Sequence, residues 1–94
     1  MKYRIYQPKE VNFFVNDDKF DYALDDYVNT YEGEVSEEIA QEEDTWILER
    51  IFSIFNISRP ADFKGHSLST NDIVTLDGKA YLCDSIGWKE INLI

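Results

Sequence analysis

The chain has 94 residues, 44% of them hydrophobic and 15% aromatic, which suits one domain over residues 1–94 with its own hydrophobic core. The formal net charge of −10 argues against direct binding to nucleic acid or to an anionic membrane. A single cysteine, Cys83, excludes an internal disulfide, and no apolar run approaches the roughly 20 residues of a membrane span, so we expect a cytoplasmic protein.

The first predicted elements are extended. Residues 3–7, YRIYQ, alternate bulky and polar side chains and are predicted to form a strand that ends at Pro8. Residues 11–15 are interpreted as a second short extended piece. The next stretch allows two interpretations, a loop or a short helix capped by Asn16 or Asp17. The apolar positions of that helix would be Phe20, Ala23 and Leu24.

Residues 27–35, YVNTYEGEV, alternate again and are predicted to form another strand. Successive side chains of a strand point to opposite faces, so two sets are expected. One face would carry Tyr27, Asn29, Tyr31, Gly33 and Val35. The other would carry Val28, Thr30, Glu32 and Glu34.

The clearest element is a helix over residues 44–56, DTWILERIFSIFN. Asp44 is the predicted N-cap, the acidic residues just before it suit the helix dipole, and Pro60 prevents continuation. Apolar residues recur at helical spacing, which predicts one broad buried stripe. That stripe consists of Ile47, Leu48, Ile51, Phe52, Ile54 and Phe55.

The rest of the chain predicts a loop over residues 58–70 and then a β-meander. Residues 73–76 and 79–83 are strands joined by Asp77-Gly78, a strong signal for a type I′ turn, and residues 88–93 form a third strand. The order of elements predicts an α+β fold, with a mostly antiparallel sheet and the main helix packed on one face. We expect Leu48, Ile51, Phe52 and Phe55 to pack against Tyr3, Ile5, Val74, Leu76 and Leu82.

Catalytic and metal-binding patterns are missing from the sequence. Its one histidine, His66, and its one cysteine, Cys83, are not part of an orienting motif, and Cys83 is predicted to be a small core residue. Zinc would need more Cys or His ligands, and neither a phosphate-binding loop nor a calcium loop is present. We therefore expect neither an enzyme nor a protein with a metal or cofactor.

The acidic residues are concentrated in one segment. Residues 16–49 hold thirteen acids and one base, whereas the rest of the chain holds six acids and eight bases. Crowded like charges oppose folding, which leaves three interpretations: a solvated surface that only aids solubility, a docking surface for a basic protein, or a docking surface that mimics nucleic acid. The candidate partner-binding residues are Glu32, Glu34, Glu37, Glu38, Glu42 and Glu43.

The stretch RPADFKGHSLSTNDIVTLDGKAYLCDSIGWKEI, residues 59–91, resembles the YodL-like domain family. YRIYQ near the N-terminus, YEGEV and the helical LERIFSIFN resemble it as well, in the expected order. The resemblance implies a domain of proteins carried by conjugative elements and phages of Gram-positive bacteria, and it implies no catalytic activity. Trp88 departs from the family pattern, which more often has Phe at this position.

The GHSLSTND part of this motif allows a structural and a functional interpretation. In the first, Gly65 and the serines form a tight loop, and Ser69 with Asp72 caps a turn. In the second, the loop is an exposed recognition edge, formed by Gly65, His66, Ser67, Ser69 and Trp88.

Two functions are expected from these observations. The first is a non-enzymatic, acidic protein-binding domain of a mobile element that inhibits a host defence nuclease, of CRISPR or restriction type, by mimicking nucleic acid. The alternative is a passive protein-interaction module with no inhibitory role. The partner in the first case is a basic protein.

Overall fold

The computed structural model describes residues 1–10 and 20–94, and the extended piece expected at residues 11–15 lies outside them. The strands are β1 (Lys2–Pro8), β2 (Asp21–Tyr22), β3 (Tyr27–Glu34), β4 (Ile73–Leu76), β5 (Lys79–Asp84) and β6 (Gly87–Leu93). The helices are α1 (Glu37–Ala40) and α2 (Asp44–Ile57), and Leu24–Asp26 form one 3₁₀ turn.

The described strands form one six-stranded sheet in the order β2-β6-β5-β4-β1-β3. Every pairing is antiparallel except that of β2 with β6. Asp77 and Gly78 connect β4 to β5 with φ angles of 48° and 88°, the left-handed pair that a type I′ turn needs. The predicted α+β fold, main helix and C-terminal β-meander are therefore confirmed.

One face of the sheet packs against α2. Ile47, Leu48 and Ile51 are buried on the helix, and Phe55 is fully buried. The ring of Phe55 lies 5.0 Å from that of Tyr31, measured between centroids and close to edge-on. The sheet and loop residues buried in the same cluster are Ile5, Leu68, Val74, Leu76 and Tyr81. This cluster holds the helix to the sheet, since burial of such side chains contributes about 1.5–3 kcal/mol each.

The other face of the sheet carries a second buried cluster, which contains Tyr22, Tyr27, Ile73, Ala80, Leu82 and Ile91. The prediction that Leu82 contacts the helix is wrong. Leu82 pairs with Ile73, whereas Val74 pairs with Tyr81 on the helix side, and neighbouring residues of a strand point to opposite faces.

A β-bulge changes the predicted faces of β3. Its register against β1 shifts between Ile5 and Tyr6, so that Ile5 pairs with Tyr31 but Tyr6 pairs with Asn29. As a result Tyr31 packs in the helix-side cluster, whereas Tyr27 belongs to the opposite one. The prediction that these two tyrosines share a face is wrong, because a bulge inserts one extra residue and reverses the alternation.

The start and the outer side of α2 also differ from the prediction. The N-cap is Glu43, which makes no side-chain capping hydrogen bond. The predicted N-cap, Asp44, lies in the first turn instead, where its carboxylate accepts a hydrogen bond from the Tyr81 hydroxyl. Phe52 is only half-buried and meets Trp88 edge-on, and Ile54 is 45% exposed. The buried stripe is thus narrower than the apolar pattern suggests.

Two short elements were not foreseen. Residues 20–26 contain the short strand β2 and the 3₁₀ turn, so the helix interpretation with Phe20, Ala23 and Leu24 is wrong for these residues. Asn16 and Asp17 lie outside the described residues. Helix α1 was also missed, although Ser36 is a good N-cap whose hydroxyl accepts a hydrogen bond from the Ile39 amide. Over residues 1–10 and 20–94, no helix has the length and apolarity to cross a membrane.

Candidate protein-binding site

Chain order brings five of the six predicted acidic residues to one end of the molecule. Strand β3 ends at Glu34, α1 follows after two residues, and α2 begins soon after α1. The five side chains are all exposed, and no ion pair connects any of them to another described residue. We call this set, which consists of Glu34, Glu37, Glu38, Glu42 and Glu43, the acidic end.

The sixth predicted residue, Glu32, is in a different situation. Its Oε1 atom lies 3.0 Å from Nε of Arg4 on the neighbouring strand, in an exposed ion pair. Arg4 and Glu32 are direct partners in the register of β1 and β3. Part of the charge of Glu32 is therefore balanced within the domain, and it is less suited than the acidic end to attract a basic partner.

The acidic end has a local structural explanation as well. Glu37 and Glu38 occupy the first turn of α1, and Glu43 is the N-cap of α2. Carboxylates at a helix N-terminus interact favourably with the helix dipole, by about 0.3–1 kcal/mol each. This effect offsets part of the repulsion between the glutamates, but it does not involve Glu34 on β3.

At the far end of β1, the GHSLSTND loop is held by one buried side chain, Gln7. Gln7 Nε2 donates hydrogen bonds to the His66 carbonyl oxygen at 2.9 Å and to Asp72 Oδ2 at 3.1 Å. Asp72 Oδ2 also accepts a hydrogen bond from the Ser69 amide at 2.9 Å, so Ser69 and Asp72 close a turn as the structural interpretation expects. We call Gln7, Gly65, His66, Ser69 and Asp72 the loop cluster.

Gly65 is required by the position of Gln7. A Cβ atom at residue 65 would collide with the Gln7 side-chain amide and would lie 2.9 Å from the Phe63 ring. Gln7 Oε1 is itself buried without a hydrogen-bond partner among the described residues. Sequence analysis did not single out Gln7, although the alternation of β1 places it on the same face as Ile5, where a polar side chain needs a partner.

Burial raises the pKa of the Asp72 carboxyl above its usual range, and the hydrogen bonds from Gln7 and Ser69 oppose this shift. Asp72 is 1% exposed, so among the described residues its carboxylate is stabilised by these hydrogen bonds and by nearby His66. The His66 ring takes part through Nδ1, which donates to the Ser67 carbonyl oxygen at 2.8 Å. The loop cluster is thus held together by two buried polar side chains, Gln7 and Asp72, whereas the side chains of His66 and Ser69 are exposed.

The proposed recognition edge is divided in the structure. His66 and Ser69 line an open depression of about 330 Å³ together with Thr70 and Asn71. Trp88 lines a separate depression of about 110 Å³, and its indole Nε1 donates to Glu49 Oε1 at 3.0 Å. Gly65 and Ser67 border neither of these depressions.

Cys83 is buried, as predicted, and borders the same small depression as Trp88. Burial, and then the carboxylates of Asp72, Glu49 and Asp84, raise the pKa of its thiol to about 11. The thiol therefore stays protonated at neutral pH, and the thiolate is the nucleophilic form. Within the described parts of the chain, no three His, Cys, Asp or Glu side chains are arranged to hold a metal ion.

Comparison with known proteins agrees with the resemblance seen in the sequence. No curated protein and no solved structure gave a significant match. The family model of the YodL-like domain matches residues 2–93, nearly the whole chain, which includes both the acidic end and the loop cluster. The chain therefore belongs to the family of YodL-like domains.

Proposed function

We propose that this domain is a non-enzymatic protein-binding module whose acidic end docks onto a basic protein surface. The observation that carries the proposal is the exposure of five carboxylates at one end without ion pairs to described residues. Such a surface attracts basic partners over several ångströms and accelerates their association. The raised pKa of the Cys83 thiol supports the non-enzymatic part of the proposal.

The more specific form of this proposal is inhibition of a host defence nuclease of CRISPR or restriction type. A nuclease binds nucleic acid in a groove that is basic, because it must attract phosphates. A group of carboxylates on a folded domain presents to such a groove negative charges, which have the same sign as those of phosphates. In this form the acidic end competes with DNA or RNA, and the domain is an inhibitor encoded by a mobile element.

Competition with nucleic acid tests this form directly. The domain is added to purified CRISPR and restriction nucleases, and cleavage of labelled substrate is measured at about 50 and about 200 mM salt. The test variant replaces Glu37, Glu38, Glu42 and Glu43 with Gln. The control removes the same charge from exposed residues outside the acidic end, by replacing Glu10 and Glu90 with Gln and Asp25 and Asp26 with Asn.

The proposal predicts that the wild-type domain and the control variant inhibit one of these nucleases, less at high salt, and that the test variant does not. Equal inhibition by the two variants would mean that only total charge matters. If the domain binds the nuclease without competing with its substrate, the acidic end is a protein-docking surface but does not mimic nucleic acid. Unchanged binding by the test variant would favour the passive module, in which the acidic end serves solubility alone.

A further inference from the structure

An apolar groove of about 160 Å³ lies beside the acidic end, between the end of β3, α1 and α2. Its wall is formed mainly by the aliphatic side chains of Val35, Ile39, Ile47, Ile51 and Ile54. A cavity of about 150 Å³ is large enough to bind benzene, so this groove has room for one apolar side chain of a partner.

Helix α2 carries exposed apolar side chains at the groove and close to it along the helix. Ile54, at its edge, is 45% exposed, and Trp46 on the same helix is 49% exposed. Residues 46, 50 and 54 are four apart and therefore follow one line along α2. Arg50, which also borders the groove, lies over the Trp46 ring at 4.9 Å from its centroid. Trp and Arg are enriched among the residues that dominate binding energy at protein interfaces.

The charge around the groove specifies the partner further. Glu34 borders the groove, and the remaining carboxylates of the acidic end belong to α1 and to the segment that joins it to α2. Among the described residues that border the groove, Arg50 is the single basic one. A partner that fits this surface has an apolar side chain for the groove and basic residues on either side of it.

We infer that the groove binds an apolar anchor residue of a basic peptide segment, while the acidic end contacts the Lys or Arg residues that flank the anchor. This inference rests on the proposed function and deepens it, because it names the chemistry of the partner. It also changes the expected energetics. A purely electrostatic contact is weakened strongly by salt, whereas burial of an apolar anchor is not.

A displayed library of random linear peptides provides the probe. The inference predicts that the domain selects peptides in which Leu, Ile, Phe or Trp is flanked by Lys or Arg. The tightest peptide is then synthesised, its affinity is measured by fluorescence anisotropy, and its site is mapped by amide chemical shifts on the wild-type domain. The largest shifts are expected at Ile39, Ile51 and Ile54.

Substitutions then separate the groove from the acidic end. Ile54→Ser, and replacement of the peptide anchor by Ala, should each weaken binding about tenfold, and the two together little more, because both remove one contact. The matched control is Ile57→Ser, which changes a residue of the same helix that is 81% exposed and does not border the groove. Circular dichroism checks that each variant is folded. The chemical-shift mapping uses the wild-type domain, so it tests the groove even if a variant does not fold.

The outcomes distinguish the inference from the proposed function. If loss of the four glutamates abolishes peptide binding but Ile54→Ser and anchor truncation do not, the acidic end is a binding site and the groove inference is wrong. If Ile54→Ser weakens binding and the glutamate variant does not, the groove still binds the anchor, but the contact of the acidic end with basic residues is wrong and the proposed function fails. Failure to select any peptide, or shifts confined to other surfaces, would overturn the inference.

Discussion

Strand β1 connects two regions that differ in the burial of their polar side chains. At its end, Gln7 enters the loop cluster, where Asp72 is buried and bonded to Gln7 and Ser69. At its start, Lys2 pairs with Glu34 in the sheet register, next to glutamates that are exposed and have no ion pair among the described residues. Buried polar groups must find partners within the fold, whereas exposed charges remain available to another molecule.

Polar residues therefore have two different roles in this domain. Those of the loop cluster maintain the fold, and those of the acidic end are available to bind a partner. The buried polar groups of the loop cluster, Gln7 and Asp72, have few alternative partners, so their replacement should cost stability. The carboxylates of the acidic end are hydrated by solvent. Replacing these glutamates should therefore weaken partner binding but change the stability of the fold little. The following substitutions test this contrast, in order of decreasing effect on the free energy of unfolding.

The largest effect is expected from Asp72→Ala. It leaves one N–H of the buried Gln7 amide and the Ser69 backbone N–H without their acceptor, while Gln7 keeps its bond to the His66 carbonyl, and each unsatisfied group costs about 1–3 kcal/mol. We expect a loss of about 3 kcal/mol in the free energy of unfolding, measured by urea denaturation. Asp62→Ala, at an exposed position of the same loop, is the control and should stay within about 0.5 kcal/mol of wild type.

A smaller loss, about 2 kcal/mol, is expected from Gly65→Ala. The added methyl group collides with the Gln7 amide, whose hydrogen bonds to His66 and Asp72 keep it in place, and overpacking of this kind costs about 1–3 kcal/mol. Thermal unfolding followed by circular dichroism measures the change. Ser67→Ala adds no atoms to this site and serves as its control; equal melting temperatures for the two variants would contradict the proposed packing.

The loop cluster should also make the stability of the domain depend on pH, through the carboxyl group of Asp72. Since burial raises the pKa of Asp72, the folded protein binds that proton more tightly than the unfolded chain does. The resulting stabilisation is complete below the unfolded pKa of about 4 and is lost as pH rises through the raised value. Asp72→Asn cannot titrate, so the stability of wild type relative to this variant should fall as pH increases above about 4. A relative stability that increases with pH would show that the shift has the opposite sign.

The smallest effect on folding is expected at the acidic end. Replacing Glu37, Glu38, Glu42 and Glu43 with Gln relieves repulsion but removes favourable helix-dipole interactions, and both effects are a few tenths of a kcal/mol per residue. We expect a net change below about 1 kcal/mol in urea denaturation, and one that shrinks further at high salt. A loss as large as that of Asp72→Ala would mean that these glutamates maintain the fold, and the contrast between the two regions would disappear.

Local sequence patterns predicted the elements that local interactions determine. Helix α2 follows from apolar residues at helical spacing, and the β4–β5 hairpin follows from Asp77-Gly78, because both depend on residues close together in the chain. The position of the acidic residues near the start of α2 was also evident, since chain order alone brings them together. The mostly antiparallel sheet followed from the order of these elements.

Tertiary contacts decided the rest. The hydrogen bond from Gln7 to Asp72 joins residues 65 positions apart, so neither side chain reveals the other in the sequence. The bulge between β1 and β3 depends on the pairing of two distant strands and reverses the face on which Tyr27 lies. Apolarity placed Ile54 in the predicted core, but this side chain is 45% exposed at the edge of a groove, because a helix buries only the side that its neighbours can reach.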